Sequence, residues 1–383
     1  MAVVLKRIAV QPRLRLRLVE GHRPHSRPCV KRATWSRTSL MVGLLAFVTI
    51  QAFTNLAIRR EWCPVRDPLY FDKLALFQST APEFFAATQD NEPVKVLFTG
   101  SSRTQNAVDT GTLQTLLTSQ LGRPVSAFNF ALAGCGPVTN AVYFRRLAKD
   151  GAKPDIVLIE VHPVFLAGQR PDPPETRWLL PIRLRPEELP TVAAMGFPSQ
   201  PSSAVGWRGW LASWYEYRFI LVDRYATGLR SMPKLNEGHE PDAHGFVRAR
   251  EIREPERMVL SELTRRQYQD YFPAYRPSGP GVAALRDMLE TCRANGWKAA
   301  IFVPPESAAF RGWYAESGSR ELEALLESLS QEFAVPLINA RTWVPDDRIG
   351  DGHHLCGSGA DILTAKLAKD ALAPWISTLK PRP

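Results

Sequence analysis

The sequence predicts an α/β fold with a central parallel sheet, interrupted by an inserted subdomain rich in proline and tryptophan and preceded by one N-terminal transmembrane helix. Three patterns predict it. From Val94 onward, short apolar runs alternate with amphipathic segments as strand-helix-strand-helix-strand, the sign of parallel crossovers. Nine prolines between Pro163 and Pro201 break that alternation. Ahead of it all, the 21 residues from Thr38 to Ile58 carry no charge.

Val94-Lys-Val-Leu-Phe-Thr99 reads as a buried strand running into the turn Gly100-Ser-Ser102. Asp109 can cap a helix whose Leu113, Leu116, Leu117 and Leu121 share one face and which Gly122 ends. A strand at Val125–Phe130, a Gly-rich turn, a helix near Val138–Lys149 and a strand at Asp155–Val161 follow. Residues 168–279 read as an insertion with short helices at Trp207–Leu229 and Glu254–Asp270, covering one face of the core and shaping a cleft. Its four tryptophans between Trp178 and Trp214 are expected to pack it onto the core rather than to stack sugar rings. Regular winding resumes with a helix from Gly281 to Asn295, a strand Trp297–Val303 and a helix Arg320–Phe333 striped by Leu322, Leu325, Leu326, Leu329 and Phe333. A strand Pro336–Asn339 and a closing helix around Gly357–Trp375 complete the chain. The resulting division is a basic tail 1–37, a span 38–58, a connector 59–93 with a helix near Tyr70–Phe77, core 94–167, insertion 168–279 and core 280–376.

Charge separates the tail from the rest. The 383 residues carry a formal net charge of +10, of which residues 1–37 hold +9, with ten bases against Glu20. The remainder is nearly neutral, and no basic patch interleaved with aromatics occurs in it, so a nucleic-acid partner is not expected. At about 1.5 Å per residue, the apolar run after Arg37 spans roughly the 30 Å of a bilayer core, with Trp35 and Trp62 at interfacial positions. It is longer than the apolar segment of a cleaved signal peptide and ends poorly for cleavage at Asn55-Leu56-Ala57, so it reads as a signal-anchor that contacts membrane lipid. Arg23, Arg27, Lys31, Arg32 and Arg37 precede it, whereas bases and acids mix after it. Positive-inside bias then places the tail in the cytoplasm and the main domain outside. Of five cysteines, Cys29 falls in the tail and Cys63, Cys135, Cys292 and Cys356 on the far side, where three pairings are open. No Cys/His spacing of metal-binding type appears, and no metal or other cofactor is implied.

Two segments carry chemistry. Phe98-Thr-Gly-Ser-Ser-Arg103 places Ser102 at a strand-to-helix turn, where a hydroxyl is exposed beside backbone N–H groups able to receive an oxyanion. Asp351-Gly-His-His-Leu355 supplies the other two parts of a nucleophilic site: His354 as base, and Asp351 to hold its tautomer. In a parallel sheet both loops leave carboxyl ends of strands, so their separation in sequence does not keep them apart. A helix-capping turn and a loop with merely exposed histidines are the plain alternatives.

Together these segments resemble the SGNH (GDSL-like) hydrolase superfamily, over about 94–165 and 281–375. The resemblance implies a flavodoxin-like three-layer α/β/α fold, with Ser102 as nucleophile, His354 as general base and then acid, and Asp351 as its partner. It maps a second oxyanion donor, beside the Ser102 N–H, onto Gly134 of Phe128-Asn-Phe-Ala-Leu-Ala-Gly-Cys-Gly136. One block departs from the family pattern. Where Gly-x-Asn-Asp usually follows the third strand and its Asn donates to the oxyanion, this chain has Val161-His-Pro-Val164. His162, Asn106 and Asn140 are the candidates to replace that donor.

Arg103, His162 and Asn140 are candidates for substrate binding, Arg103 being as readily a structural ion pair. Glu160 is expected to be a buried, hydrogen-bonded acid, and Pro304-Pro-Glu-Ser307 a rim. Cys135 and Cys356 lie within two residues of proposed site residues and suggest a bridge. The function these readings imply is a membrane-anchored serine esterase or O-acyltransferase acting on acyl esters of extracytoplasmic carbohydrate or lipid. The alternative, motivated by the missing Asn, is a catalytically weak or inactive module of the same fold that binds glycan or scaffolds an envelope assembly.

Overall fold

The computed structural model describes residues 30–62, 65–86, 92–179, 183–197, 215, 217–226 and 240–379. Two compact units divide the chain, Met1–Phe53 and Thr54–Pro383. Helix α1, Val30–Arg59, begins in the first. Its stretch Ser36–Ile58 is long and apolar enough to cross a membrane, and Leu40, Leu45 and Phe53 leave their side chains exposed.

The second unit is built on five parallel strands: β1 Val94–Thr99, β2 Val125–Asn129, β3 Ile156–Glu160, β4 Lys298–Val303 and β5 Leu337–Asn339. They lie in the order β2-β1-β3-β4-β5, the flavodoxin-like order of doubly wound sheets. Because side chains alternate along a strand, each strand feeds two cores. Val96, Phe98, Ile156, Leu158 and Phe302 enter one, against α4 (Thr110–Leu121) and the C-terminal helices. Leu97, Val157, Ile159, Ile301 and Val303 enter the other, against α5 (Pro137–Lys149) and the helix Pro280–Asn295. The result is the three-layer arrangement expected from sequence.

Local signals set most element ends. Asp109 accepts from the N–H of Thr112 at 2.9 Å and starts α4, which stops at Gly122 in a left-handed conformation with φ 63°. The closing helix Gly357–Lys366 passes through a π-helical turn, Leu367–Leu372, before Ala373–Thr378.

The segment read as a connector is part of the core. Helix α2, Pro68–Thr80, buries Tyr70 and Phe77, and Phe77 stacks on Phe128 with ring centroids 4.2 Å apart. Asp67 pairs with Arg146 at 3.0 Å and with Arg183 at 3.1 Å, tying this segment to α5 and to the inserted region.

In the insertion, the expected helix at Glu254–Asp270 is Glu256–Tyr268 followed by a 3₁₀ turn, Gln269–Tyr271. Of the helix expected at Trp207–Leu229, Arg218–Tyr225 is described; Trp207, Trp210 and Trp214 lie outside the described residues. Cys135, Cys292 and Cys356 are buried and free, so the suggested Cys135–Cys356 bridge is absent; burial raises the Cys135 thiol to about 12. Cys29 and Cys63 lie outside the described residues.

Candidate active site

β1 and β3 are neighbours at the point where the strand order reverses, and clefts form at the carboxyl ends of strands there. The chain leaves β1 through Gly100 and Ser101, and helix α3, Ser102–Ala107, begins at Ser102. Ser101 is its N-cap, accepting from the Arg103 N–H at 3.2 Å. A second acceptor comes from the end of β3. The Glu160 carboxylate takes the Ser101 N–H at 2.7 Å, the Ser101 hydroxyl at 2.6 Å and the Thr104 N–H at 3.2 Å. Gly100 is needed because any side chain there would run into Glu160. With the amides of Ser101, Arg103 and Thr104 engaged, the Ser102 N–H at the first helical position is left for a ligand.

The base loop follows β5. An antiparallel bridge between Ile349 and Leu355 closes it, and Gly352 turns with φ 102°. Asp351 Oδ1 accepts the N–H groups of His353 at 3.2 Å and His354 at 2.9 Å, while Oδ2 lies 2.7 Å from His354 Nδ1. His354 Nε2 lies 2.7 Å from Ser102 Oγ. A carboxylate beside Nδ1 keeps the proton there, so Nε2 accepts from the serine hydroxyl. Burial pushes the Asp351 carboxyl upward, but the charges of His354 and His353 and the hydrogen bonds from His354 outweigh it and hold the group well below the usual carboxylate range. Asp351 therefore stays ionised.

Gly134 sits in the loop after β2 with φ 73°, a conformation that favours glycine, and Trp178 Cδ1 would lie 3.2 Å from a Cβ there. The loop is braced from the inserted region. Glu175 accepts the N–H groups of Val138 at 2.9 Å and Thr139 at 2.6 Å, capping α5 where Gly136 offers no side chain. Ser102, Gly134, His354 and Asp351 line a cavity of about 190 Å³, with Ser101, His162 and His353. Phe165, Trp178, Thr264, Gln267 and Tyr268 make its remaining wall, so the insertion does shape the cleft.

Arg103 does not face this cavity. Its guanidinium is buried, donates to the carbonyls of Pro304 and Pro305 at 3.0 Å each and of His353 at 3.3 Å, and pairs with Glu306 at 3.3 Å. Glu306 in turn pairs with Arg341 at 2.8 Å. Pro304, Pro305 and Glu306 are thus interior braces rather than a rim. Asn140 donates to the Cys135 carbonyl at 3.4 Å and Asn106 to the Val247 carbonyl at 2.8 Å, and neither lines the cavity. Of the three candidate replacements for the missing donor, His162 is the one in the cavity wall.

Asp351, His353 and His354 offer ligand atoms within 4.8 Å of one another, a spacing that suits a cation. Within the cluster, both ring nitrogens of His354 and Asp351 Oδ2 are engaged with each other and with Ser102, whereas buried His353 Nδ1 has no hydrogen-bond partner.

A parallel sheet in the order 2-1-3-4-5, with serine, histidine and aspartate joined at its carboxyl edge, is the architecture that the SGNH (GDSL-like) resemblance implied. No family model and no curated protein matches the chain. Solved structures do match. A GDSL-like lipase from Bacteroides thetaiotaomicron VPI-5482 is 12% identical, with TM-score 0.34, over 79% of this chain and 100% of that one. A lipase/acylhydrolase from Enterococcus faecalis is 12% identical, with TM-score 0.30, over 76% and 99%. A variant of an acetylxylan esterase from Geobacillus stearothermophilus is 11% identical, with TM-score 0.35, over 74% and 97%.

Three parts of the site were not assigned from sequence: Glu160 as clamp of the Ser101-Ser102 turn, Glu175 as remote cap of α5, and the wall formed by Trp178, Thr264, Gln267 and Tyr268. Nothing local marks them. Each acts on residues distant in sequence; the apolar run 156–161 announced that Glu160 is buried and hydrogen-bonded, but not what it holds.

Proposed function

We propose that this protein is a membrane-anchored serine esterase or O-acyltransferase working through an acyl-enzyme on Ser102. The observation that carries the reading is the continuous line from Ser102 Oγ to His354 Nε2, and from His354 Nδ1 to Asp351 Oδ2, each 2.7 Å. As Ser102 Oγ bonds to the ester carbonyl carbon, its proton passes to His354 Nε2 and the π pair moves onto the carbonyl oxygen. The N–H groups of Ser102 and Gly134 receive that negative charge. Collapse re-forms the carbonyl and expels the alcohol oxygen, which takes the proton back from His354. The acyl group is then carried by Ser102. Water, or a sugar hydroxyl, gives its proton to His354 and repeats the sequence in reverse, yielding the free acid or a new ester.

The apolar stretch 38–58 serves as the anchor in membrane lipid, with the basic tail cytoplasmic and the site outside. Esters on extracytoplasmic carbohydrate or lipid are the substrates this placement favours. The test is hydrolysis of short-chain acyl esters and labelling by a fluorophosphonate, using the full chain in detergent. Both are expected, with Ser102→Ala abolishing both. A wild-type chain that neither hydrolyses nor labels, and is indistinguishable from Ser102→Ala, refutes the reading.

A further inference from the structure

His162 follows β3 by two residues, in the wall of the cavity that also holds Ser102 and Gly134. The residue is 3% exposed, and neither Nδ1 nor Nε2 has a hydrogen-bond partner. That is expensive. A buried polar group without a partner costs about 1–3 kcal/mol, and here one ring presents two. Nor is the ring loosely held. Phe165 packs on it at 4.6 Å between centroids, His353 at 5.4 Å and Tyr268 at 6.0 Å, so its plane is fixed by neighbours with which neither nitrogen makes a hydrogen bond. An aromatic hydrocarbon would fill the same space at lower cost.

An imidazole kept rigid and unsatisfied in the wall beside a nucleophile is suited to a partner that exists only during reaction. We infer that one ring N–H of His162 is a third donor to the oxyanion formed when Ser102 attacks, alongside the N–H groups of Ser102 and Gly134. This rests on the serine mechanism proposed above and names a further catalytic residue for it. The charge balance is simple. The carbonyl π pair becomes the oxyanion lone pair, and His162 donates a hydrogen bond without transferring its proton, so His354 remains the sole proton carrier. Burial, and after it the charges of Arg103, His353 and His354, hold the His162 pKa well below that of free imidazole, so the ring works as a neutral donor. A neutral ring also spares the cavity a second cation next to His354 at the moment that residue becomes charged.

A structural role and a catalytic role predict opposite things for one substitution. His162→Phe keeps an aromatic ring at the site, somewhat larger, and removes both unpaired nitrogens. Expected of the full chain in detergent is unchanged or greater resistance to unfolding, with kcat for a short acyl ester lowered about 10²-fold or more and KM little changed. The second-order rate of Ser102 labelling by a fluorophosphonate, whose phosphoryl oxygen also requires the donor, should fall in parallel. His162→Asn, which restores an N–H donor, should recover a large part of both rates. Should the Phe variant not fold, His162→Ala against His162→Asn carries the same comparison. If wild type labels at Ser102 and His162→Phe turns over and labels as fast as wild type, the donor assignment is overturned while the serine reading stands. If wild type neither labels nor hydrolyses, both are overturned.

Discussion

Glu160 holds Ser101 by two of its groups at once, the hydroxyl at 2.6 Å and the amide at 2.7 Å, and adds the amide of Thr104 at 3.2 Å. The acid at the end of β3 thereby fixes the turn that presents Ser102 from β1. A carboxylate can accept all three bonds. An amide whose oxygen kept both N–H groups would turn its NH₂ on the Ser101 hydroxyl, which already accepts from the Arg103 N–H and would lose the acceptor for its own proton. Glu160→Gln is therefore expected to lose about 1–3 kcal/mol of stability and to lower kcat more than it raises KM. Chemical denaturation and ester kinetics on the same preparation check this. Wild-type values in both would mean that the turn holds without the clamp.

Arg103 invites a different test, because its position beside Ser102 suggests substrate binding while its contacts run inward. It links the turn at Ser102 to the His353 carbonyl at 3.3 Å and to Glu306 at 3.3 Å. Removing one partner of a buried pair leaves the other uncompensated, at a cost of about 3–5 kcal/mol. Arg103→Met should accordingly unfold at markedly lower temperature. Arg103→Lys should fold, yet lose kcat as the two loops separate, because a lysine cannot span the same carbonyls. Neither should change the ratio of rates on anionic and neutral esters. A selective loss on anionic esters would return Arg103 to the substrate.

Asp351 supports His354 through Oδ2 and the loop backbone through Oδ1. Asp351→Asn keeps much of that backbone support but offers an amide to Nδ1, favouring the wrong tautomer of His354. The expected loss in kcat is about 10⁴-fold, with the unfolding temperature much less affected. A loss no larger than tenfold, with the fold intact, would show that another group orients the imidazole.

The sheet and its winding were legible in the sequence because their causes are local. Apolar runs such as Val94–Thr99, a cap such as Asp109 and a stop such as Gly122 each act within a turn of themselves. That Ser102, Asp351 and His354 would meet was legible for a related reason: short-range residue patterns mark the two loops, and strand order then brings them together. What escaped was the bracing. Glu175 caps α5 from 36 residues away, and Arg103 reaches Pro304 and Pro305 across about two hundred residues. Such partners are chosen by the fold, so a one-dimensional pattern carries no trace of them. The connector misled in the same way. The helix expected near Tyr70–Phe77 is there, as Pro68–Thr80, but nothing in 59–93 announced that Tyr70, Phe77 and Phe84 would be core.

Lys73 gives a prediction independent of catalysis. Its ammonium on α2 is buried and donates to the Gly245 carbonyl at 2.6 Å, with the charge of Asp242 acting in its favour. Burial lowers its pKa from 10.5 to about 7, with Asp242 opposing. In the unfolded chain the group holds its proton up to about pH 10.4. Between about 7 and that value the unfolded state therefore binds more protons than the folded one, and stability contributed by Lys73 rises with pH. Below about 7 both states are protonated and the penalty of burying the charge is complete. The linkage amounts to roughly 3–5 kcal/mol across the window. Lys73→Met fills the space without a charge, so it should stabilise the chain at pH 7 and gain progressively less as pH approaches 10. The measurement is the difference in unfolding free energy between wild type and variant at pH 7, 8, 9 and 10, which cancels the tyrosines and other groups common to both. A difference that stays flat with pH would show that Lys73 keeps its proton in the fold, solvated or paired more strongly than its surroundings indicate.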